Sequence, residues 1–234
     1  MKAEVRNPKS EGNPNTEIRT GTVLVTFAVK EEAKPFNQLV GSQPHVRTLL
    51  TGIGPRNADR AIRAAFAQQK PERVLTCGFA GGLRPDLTAG TIVFSADQAT
   101  GWEPALLAGG ARPARFHCVE RVATTAEQKR ALWKATGADA VDMESQFIRT
   151  FCREQNVPSA TVRVILDTAD TDLPLDFNEF LTADQQVDIP KLTRTVLMSP
   201  GKIPLLLRLQ QQGKAAAERL GQALAGLLSN MPDA

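Results

Sequence analysis

Residues 137–152 read GADAVDMESQFIRTFC, a run of mostly small residues followed by an apolar-periodic segment. Between Met143 and Cys152 the apolar residues recur at the spacing of one helix face. The stretch therefore predicts a short strand that turns directly into a helix, with Glu144 at the turn. A carboxylate there either satisfies free amides at the helix start or binds a polar ligand.

The same order of strand and helix recurs along the chain. Strands are predicted over 22–28, 45–51, 73–77, 91–95, 115–123, 138–141 and 159–166, and helices over 30–39, 57–69, 127–135, 143–155 and 203–228. Residues 167–200 are acidic and contain proline, and we expect them to be irregular, with a short helix near 178–181. This alternation predicts a single α/β domain whose sheet is covered by helices on both faces.

Composition narrows the possible functions. The chain has 234 residues, 42% of them hydrophobic, and a net charge of +3 without a basic block. Neither nucleic-acid binding nor a membrane span is expected. Residues 1–20 are polar and predicted to be a flexible tail, which leaves 21–230 as the domain. Three cysteines without metal-like spacing predict free thiols in a reducing, cytoplasmic setting.

Three carboxylates are predicted to meet at one edge of the sheet. Glu32, Glu144 and Asp167 each follow a strand, and the carboxyl ends of strands carry the ligand site in such sheets. Each could separately be a helix-start charge or a turn residue. Together they fit the cleavage of a glycosidic bond, which needs an acid on the leaving group and a base or nucleophile opposite. A further carboxylate suits the two hydroxyls of a ribose.

Other kinds of site have less support in the sequence. His45 and His117 lack the spacing of zinc ligands, so no metal is predicted. The stretch GFAGGL, 78–83, contains Phe79, Ala80 and Gly81, and its small residues would let backbone amides approach a ligand or form a tight turn. It is not a P-loop, because the Gly-Lys-Ser/Thr ending is missing. No nucleophile elbow of a serine hydrolase occurs.

The motifs TGIGPRNA, GFAGGL, AVDMES and VRVILDTAD follow one another in this order. In this order the chain resembles the nucleoside phosphorylase/nucleosidase superfamily, over roughly residues 22–228. Within the superfamily it is similar to the methylthioadenosine/S-adenosylhomocysteine nucleosidases and to the hopanoid-associated phosphorylase-like proteins. The resemblance implies a three-layer domain with a central mixed, twisted sheet, a purine-type ribonucleoside as substrate, no cofactor, and a homodimer or larger assembly.

The resemblance also implies roles for particular residues. Glu32 matches the acid that activates water, and Asp167 the acid that protonates the departing purine. Met143 and Glu144 match the ribose-binding pair, and Phe177 an aromatic that lines the base or 5′ side. Two departures affect the predicted substrate contacts. Leu166 replaces the serine before the general acid, and Phe79 stands where serine is common.

The sequence leaves hydrolysis and phosphorolysis open, and it favours hydrolysis. A phosphorylase needs cations to hold its phosphate co-substrate, and a carboxylate at Glu32 would repel that anion. Against this, Arg73 and Thr76 match the strand arginine and hydroxyl of the phosphorylases, and Arg56 lies on a nearby loop. A nucleoside-binding module without catalysis is the alternative from another class, favoured by Leu166 and Phe79.

Overall fold

The computed structural model describes residues 22–180, 182, 188–198, 201 and 203–229. The predicted tail, residues 1–20, lies outside them. The strands are β1 (Val23–Phe27), β2 (Val46–Leu50), β3 (Arg73–Gly82), β4 (Ile92–Ala96), β5 (Arg112–Pro113), β6 (Phe116–Cys118), β7 (Ala140–Asp142) and β8 (Ser159–Asp167). The helices are α1 (Lys30–Val40), α2 (Pro55–Gln68), α3 (Glu103–Ala108), α4 (Ala126–Thr136), α5 (Ser145–Glu154), α6 (Ile189–Met198) and α7 (Ile203–Ser229).

These eight strands form one sheet. Six of them lie side by side in the order β2-β1-β3-β8-β4-β5, and β7 pairs with β3 and with β6. The central pairs of the sheet are parallel, whereas β4 runs antiparallel to β8 and β7 antiparallel to β3. The predicted mixed sheet is thereby confirmed. Strand β3 changes partner along its length, because Arg73–Thr76 pairs with β1 whereas Gly81–Gly82 pairs with β7. The change of partner leaves one edge of β3 open between these two segments.

Helices cover both faces of the sheet, because side chains alternate along each strand. Val25 and its same-face neighbours pack against Phe36 of α1 and Leu220 of α7. Leu24 points the other way and packs against Ile62 of α2 and Ile148 of α5. The domain is therefore a three-layer α/β arrangement, as predicted.

Helix α7 continues through its three glycines, Gly213, Gly221 and Gly226, although glycine is a poor helix former. At Gly221 a Cβ atom would lie 2.9 Å from the backbone nitrogen of Phe36 and 3.1 Å from the carbonyl carbon of Pro35. Glycine here lets α7 touch the backbone of α1, which no larger residue would allow. The helix therefore keeps a poor helix former because packing requires it.

Some predicted boundaries are wrong. The third strand was expected to end at Cys77, but β3 continues through GFAGG to Gly82, because β8 and β7 provide hydrogen-bond partners for this segment. The strand predicted over 115–123 shortens to Phe116–Cys118. Helices α3 and α6 were not predicted. Among the described residues, none of the helices combines the length and the apolar character that crossing a membrane requires.

Candidate active site

A cavity of about 350 Å³ lies at the carboxyl ends of β1, β3 and β8. This is the edge at which ligand sites form in sheets of this kind. Nine of the residues predicted for the site contribute to its walls: Glu32, Phe79, Ala80, Gly81, Met143, Glu144, Leu166, Asp167 and Phe177. The three carboxylates that the sequence places at strand ends therefore share one cavity.

The residues predicted to bind phosphate are not in these walls. Arg73 is the first residue of β3, whereas the wall begins at Phe79, about 20 Å further along the strand at 3.3 Å per residue. Arg56 is exposed in the first turn of α2. Thr76 is buried beneath the site, where its hydroxyl accepts a hydrogen bond of 3.2 Å from Arg163. Phosphate binding by these three stays a prediction.

Glu32 lies in the first turn of α1, and its carboxylate bends back over the end of β1. Oε2 accepts hydrogen bonds from the backbone nitrogens of Ala28 (3.0 Å) and Val29 (3.3 Å). Oε1 accepts a third, of 2.9 Å, from the backbone nitrogen of Phe79 on β3. Glu32 therefore satisfies the helix start and also reaches the cavity. Burial raises the pKa of its carboxyl, although the Arg163 charge and these hydrogen bonds oppose the shift.

Gly78 provides the space in which Glu32 crosses β3. A Cβ at this position would lie 2.8 Å from Glu32 Oε1 and 3.0 Å from Arg163 Nη1. Its φ of +144° also disfavours any residue with a side chain. The sequence suggested small residues here for backbone contact with a ligand, and the structure shows that Gly78 makes room for two charged side chains.

Glu144 precedes α5, yet it does not cap that helix. Its Oε1 accepts a hydrogen bond of 2.8 Å from the backbone nitrogen of Gly54. Asp142 instead accepts from the backbone nitrogen (3.2 Å) and hydroxyl (2.9 Å) of Ser145. The helix start is thus satisfied by Asp142, and Glu144 is free to face the cavity. Burial raises the pKa of Glu144 to about 7, helped by the charges of Asp142 and Glu32 and opposed by Arg163.

Arg163 is central to the site and was not predicted. It is fully buried in the middle of β8, where its Nε donates a hydrogen bond of 2.8 Å to Asp142 Oδ2 and its Nη2 forms an ion pair with the same oxygen at 2.7 Å. Its Nη2 also lies 3.7 Å from Glu144 Oε2. The signal for it was an arginine inside the apolar run VRVIL, on the same strand face as Asp167 by the two-residue period.

Asp167 is the last residue of β8, and 12% of its side chain is exposed. Its Oδ2 forms an ion pair with the ammonium of Lys129 on α4, although no well-directed hydrogen bond reaches Oδ2 from the described residues. Burial raises the pKa of Asp167, and the Lys129 charge opposes this shift. Nothing in the sequence distinguishes Lys129 from other helix lysines. It directly follows the N-terminal capping box of an amphipathic helix.

The outer wall comes from the segment after β8. This segment belongs to the acidic, proline-containing stretch 168–200, which the sequence suggests as a lid over the site. A short 3-10 helix, Phe177–Phe180, contributes both of its phenylalanines to the cavity. Between them, the Asn178 amide pairs with both backbone groups of Val122, accepting from its nitrogen (2.7 Å) and donating to its oxygen (2.9 Å). Residues 181, 183–187 and 199–200 of the lid lie outside the described part.

The remaining walls are apolar. Val119, Val122 and Ala123 line one part, and Leu173 and Leu209 another. Leu166 and Phe79 join them, as the two departures in the sequence suggested. Within the described residues, no group of three or more His, Cys, Asp or Glu side chains is arranged to hold a metal ion. The polar chemistry of the cavity therefore lies with its carboxylates and the two buried cations that contact them.

The fold and this cavity define a class of protein. A mixed sheet with carboxylates at its strand ends and a glutamate after a Met at the start of a helix fits an enzyme that acts on ribosides. Consistent with this, the sequence model of the phosphorylase superfamily matches residues 24–119 and 114–197. The chain belongs to the phosphorylase superfamily, and the prediction of an enzyme from this superfamily is confirmed.

Relatives and solved structures agree with this assignment. The chain is 32% identical over 171 residues, 58% of its length and 74% of the relative's, to a 5′-methylthioadenosine/S-adenosylhomocysteine nucleosidase of Glaesserella parasuis serovar 5 (strain SH0165). Its fold matches futalosine hydrolase of Helicobacter pylori strain 26695 with a TM-score of 0.67 at 13% identity, covering 91% of this chain and 99% of the other. It also matches a Neisseria meningitidis 5′-methylthioadenosine/S-adenosylhomocysteine nucleosidase in complex with methylthio-immucillin-A (TM-score 0.66, 17% identity, 90% and 100% covered).

Proposed function

We propose that the protein hydrolyses the N-glycosidic bond of a purine-type ribonucleoside, with water as the nucleophile. The observation that carries this proposal is the meeting of three carboxylates in one cavity, the buried Glu32 and Glu144 and the largely buried Asp167. The 32% identical relative, named as a nucleosidase, supports the same reaction. No cofactor is needed for this chemistry, and a homodimer or larger assembly and a cytoplasmic location stay predictions.

In the proposed reaction the carboxylates take different parts. Asp167 gives a proton to the purine nitrogen that becomes basic as the bond breaks, and burial keeps its pKa above the ordinary value. Glu32 accepts the proton of the attacking water. Its carboxylate already accepts three backbone hydrogen bonds, which fix its position, and about one of its four acceptor sites remains for water. Glu144 accepts hydrogen bonds from the 2′ and 3′ hydroxyls.

The charge around Glu32 favours water over phosphate. Arg163 is the guanidinium beside this carboxylate, and it is already held by Asp142 through a hydrogen bond and an ion pair. Glu32, Asp142 and Glu144 together outnumber it. Burial raises the pKa of Glu144, and repulsion from the charges of Asp142 and Glu32 adds to this shift. A phosphate dianion entering this cluster would meet repulsion, whereas a neutral water would not. Phosphorolysis is therefore the less favoured reaction.

The walls favour an apolar substituent at the 5′ position. The cavity is closed by leucine, valine and phenylalanine side chains, Leu173, Phe177, Phe180 and Leu209 among them. A charged 5′ group would lose its hydration there without gaining a partner among the wall residues. We therefore expect 5′-alkylthio nucleosides to react faster than the 5′-phosphorylated forms.

The test is release of free base from methylthioadenosine, adenosine, inosine and a futalosine-like nucleoside, each with and without phosphate. We expect free base and the matching ribose or 5′-substituted ribose in phosphate-free buffer, with no gain when phosphate is added. Base that forms only with phosphate would show a phosphorylase instead. Binding without base release from any of these nucleosides would show a nucleoside-binding module.

A further inference from the structure

Lys129 is a fully buried lysine whose ammonium lies against the cavity. Its side chain has no exposed surface, and it leaves α4 toward the end of β8. Lysine is almost never fully buried unless it is paired. Here its partner is Oδ2 of Asp167, the carboxyl to which we assign proton donation.

The same ammonium also holds the chain that follows Asp167. It donates hydrogen bonds of 2.9 Å to the Thr168 carbonyl and 2.7 Å to the Thr171 carbonyl. These carbonyls belong to one turn, closed by a hydrogen bond of 3.2 Å from the Thr171 nitrogen to the Thr168 carbonyl. Lys129 therefore ties α4, the turn and the Asp167 carboxyl together at a single atom.

Stability alone does not account for a charge in this place. Burying an ammonium and a carboxylate costs several kcal/mol of hydration for each ion, and well-packed apolar residues often stabilise a core as well or better. A neutral donor could also hold a turn. The specific consequence of an ammonium is a fixed positive charge beside Asp167.

We propose that Lys129 is a positioning residue for proton donation by Asp167. It holds the carboxyl and the 168–171 turn in register with the cavity, and it stabilises the negative charge that develops on Asp167 as its proton leaves. This inference rests on the hydrolysis proposed above.

The proton balance does not involve loss of a proton from Lys129. The Asp167 proton moves to the purine nitrogen, and the electron pair of the C1′–N bond goes to the departing base. Water forms the new bond to C1′ and gives its proton to Glu32. Charge thus develops on Asp167 while the ammonium beside it stays fixed, which is the arrangement by which preorganised electrostatics lower a barrier.

Other charges near this pair must be considered in a pH experiment. Asp170 lies on the same turn, where a hydrogen bond from Thr168 and, more weakly, the Lys129 charge lower its pKa. Glu32, Glu144 and Arg163 form the other charged cluster of the cavity. Variants at Lys129 are therefore compared with wild type over the whole pH range rather than at one value.

The experiment compares Lys129→Met with Lys134→Met, an exposed lysine on the same helix, on two substrates. One is a purine nucleoside, whose base leaves only when protonated. The other is 4-nitrophenyl β-D-ribofuranoside, whose nitrophenolate leaves without protonation. For Lys129→Met we expect kcat/KM to fall about 100-fold on the purine nucleoside, at the low end for general acid catalysis, and less than about 3-fold on the nitrophenyl riboside. The control variant should match wild type on both.

The pH profile adds a readout that a purely structural lysine would not move. Burial raises the pKa of Asp167, and Lys129 opposes that rise. Removing the charge should therefore move the alkaline limb of kcat/KM for the purine nucleoside to higher pH. If Lys129→Met does not fold, Lys129→Ala with added propylammonium replaces it. Recovery of purine cleavage with propylammonium, and not with propanol, is the expected result.

The outcomes separate this inference from the proposed function. Equal losses on both substrates, an unmoved alkaline limb, or no recovery with propylammonium would overturn the role of Lys129 while hydrolysis by wild type still stands. A Lys129→Met variant that cleaves the purine nucleoside as fast as wild type would also overturn the role of Lys129. A wild-type enzyme that releases base from no nucleoside would remove the proposed function, and this inference with it.

Discussion

Replacing Glu144 with glutamine should make the protein more stable and less active at neutral and alkaline pH. Burial raises the pKa of the Glu144 carboxyl to about 7, and the charges of Asp142 and Glu32 add to this shift. The carboxyl also receives one backbone hydrogen bond from Gly54. A glutamine keeps that acceptor for Gly54 and removes the charge. It also removes the carboxylate that we assign to the ribose diol.

The size of the stability effect follows from the shift in pKa. The folded protein holds the Glu144 proton up to about pH 7, whereas an unfolded glutamate loses it near 4.5. Acid therefore favours the folded state, and the contribution of Glu144 to stability is lost as the pH rises from about 4.5 through 7. At 1.36 kcal/mol per pH unit, the variant should gain roughly 2–3 kcal/mol over wild type between pH 5 and pH 8.5.

Urea unfolding of both proteins at pH 5 and pH 8.5 measures this difference. Burial also raises the pKa values of Glu32 and Asp167, so the variant keeps part of the pH dependence. Asp142→Asn is the matched control, since Asp142 pairs with Arg163 through a hydrogen bond and an ion pair. It should lose about 3–5 kcal/mol, because it leaves Arg163 buried without its main partner.

Activity completes the test. Each charge-assisted hydrogen bond to a hydroxyl contributes about 1.5–3 kcal/mol, so Glu144→Gln should lower kcat/KM on ribonucleosides by about 10- to 100-fold. The loss on 2′-deoxynucleosides should be smaller, because one of the two hydroxyls is already missing. A variant that is no more stable at pH 8.5 than at pH 5, relative to wild type, would refute the charge argument. Equal losses on both kinds of nucleoside would refute the diol assignment.

Three further predictions concern other parts of the site. Asp167→Asn should lower kcat by about 100-fold or more while nucleoside binding, measured by calorimetry, persists; an active variant on purine nucleosides would remove its role as the acid. Gly78→Ala should lower both Tm and kcat/KM, because its Cβ would lie 2.8 Å from Glu32 Oε1. Gly213→Ala is the control: its Cβ would meet nothing within 4 Å, and it should stabilise the folded protein by about 0.5–1 kcal/mol. Similar Tm shifts for the two variants would contradict this. Asn178→Ala, which frees the phenylalanine-bearing 3-10 helix, should raise KM several-fold, and an unchanged KM would mean that this helix does not close on substrate.

Much of the fold could be predicted because its elements carry local patterns. Strand β1, helix α2 and helix α5 follow the apolar period of the sequence closely. The end of β3 does not, because GFAGG has the composition of a turn and becomes a strand through pairing with β7 and β8, which are distant in sequence. Tertiary pairing overrode the local preference there. The short α3 likewise has too few residues to show a period.

The site shows a similar division. The carboxylates could be predicted because a strand end is a position that sequence alone can indicate. Arg163 carried a signal of another kind, an arginine inside an apolar strand, whereas Lys129 carried none, since a cation on a helix has no distinguishing position until its partners are known. The resemblance to known nucleosidases pointed to residues that line the cavity, and it said nothing of the cations behind them.

Asp142 shows why those hidden partners matter for the chemistry. It lies two residues before Glu144, satisfies the start of α5 through Ser145, and holds Arg163 through a hydrogen bond and an ion pair. Because Asp142 does both, Glu144 receives one backbone hydrogen bond and only a 3.7 Å approach from the guanidinium. The cavity thus keeps an excess of carboxylates over cations, and our proposal of water rather than phosphate as the nucleophile depends on that excess. A site in which Arg163 were released from Asp142 would present a free cation beneath the ribose, and it would suit phosphate instead.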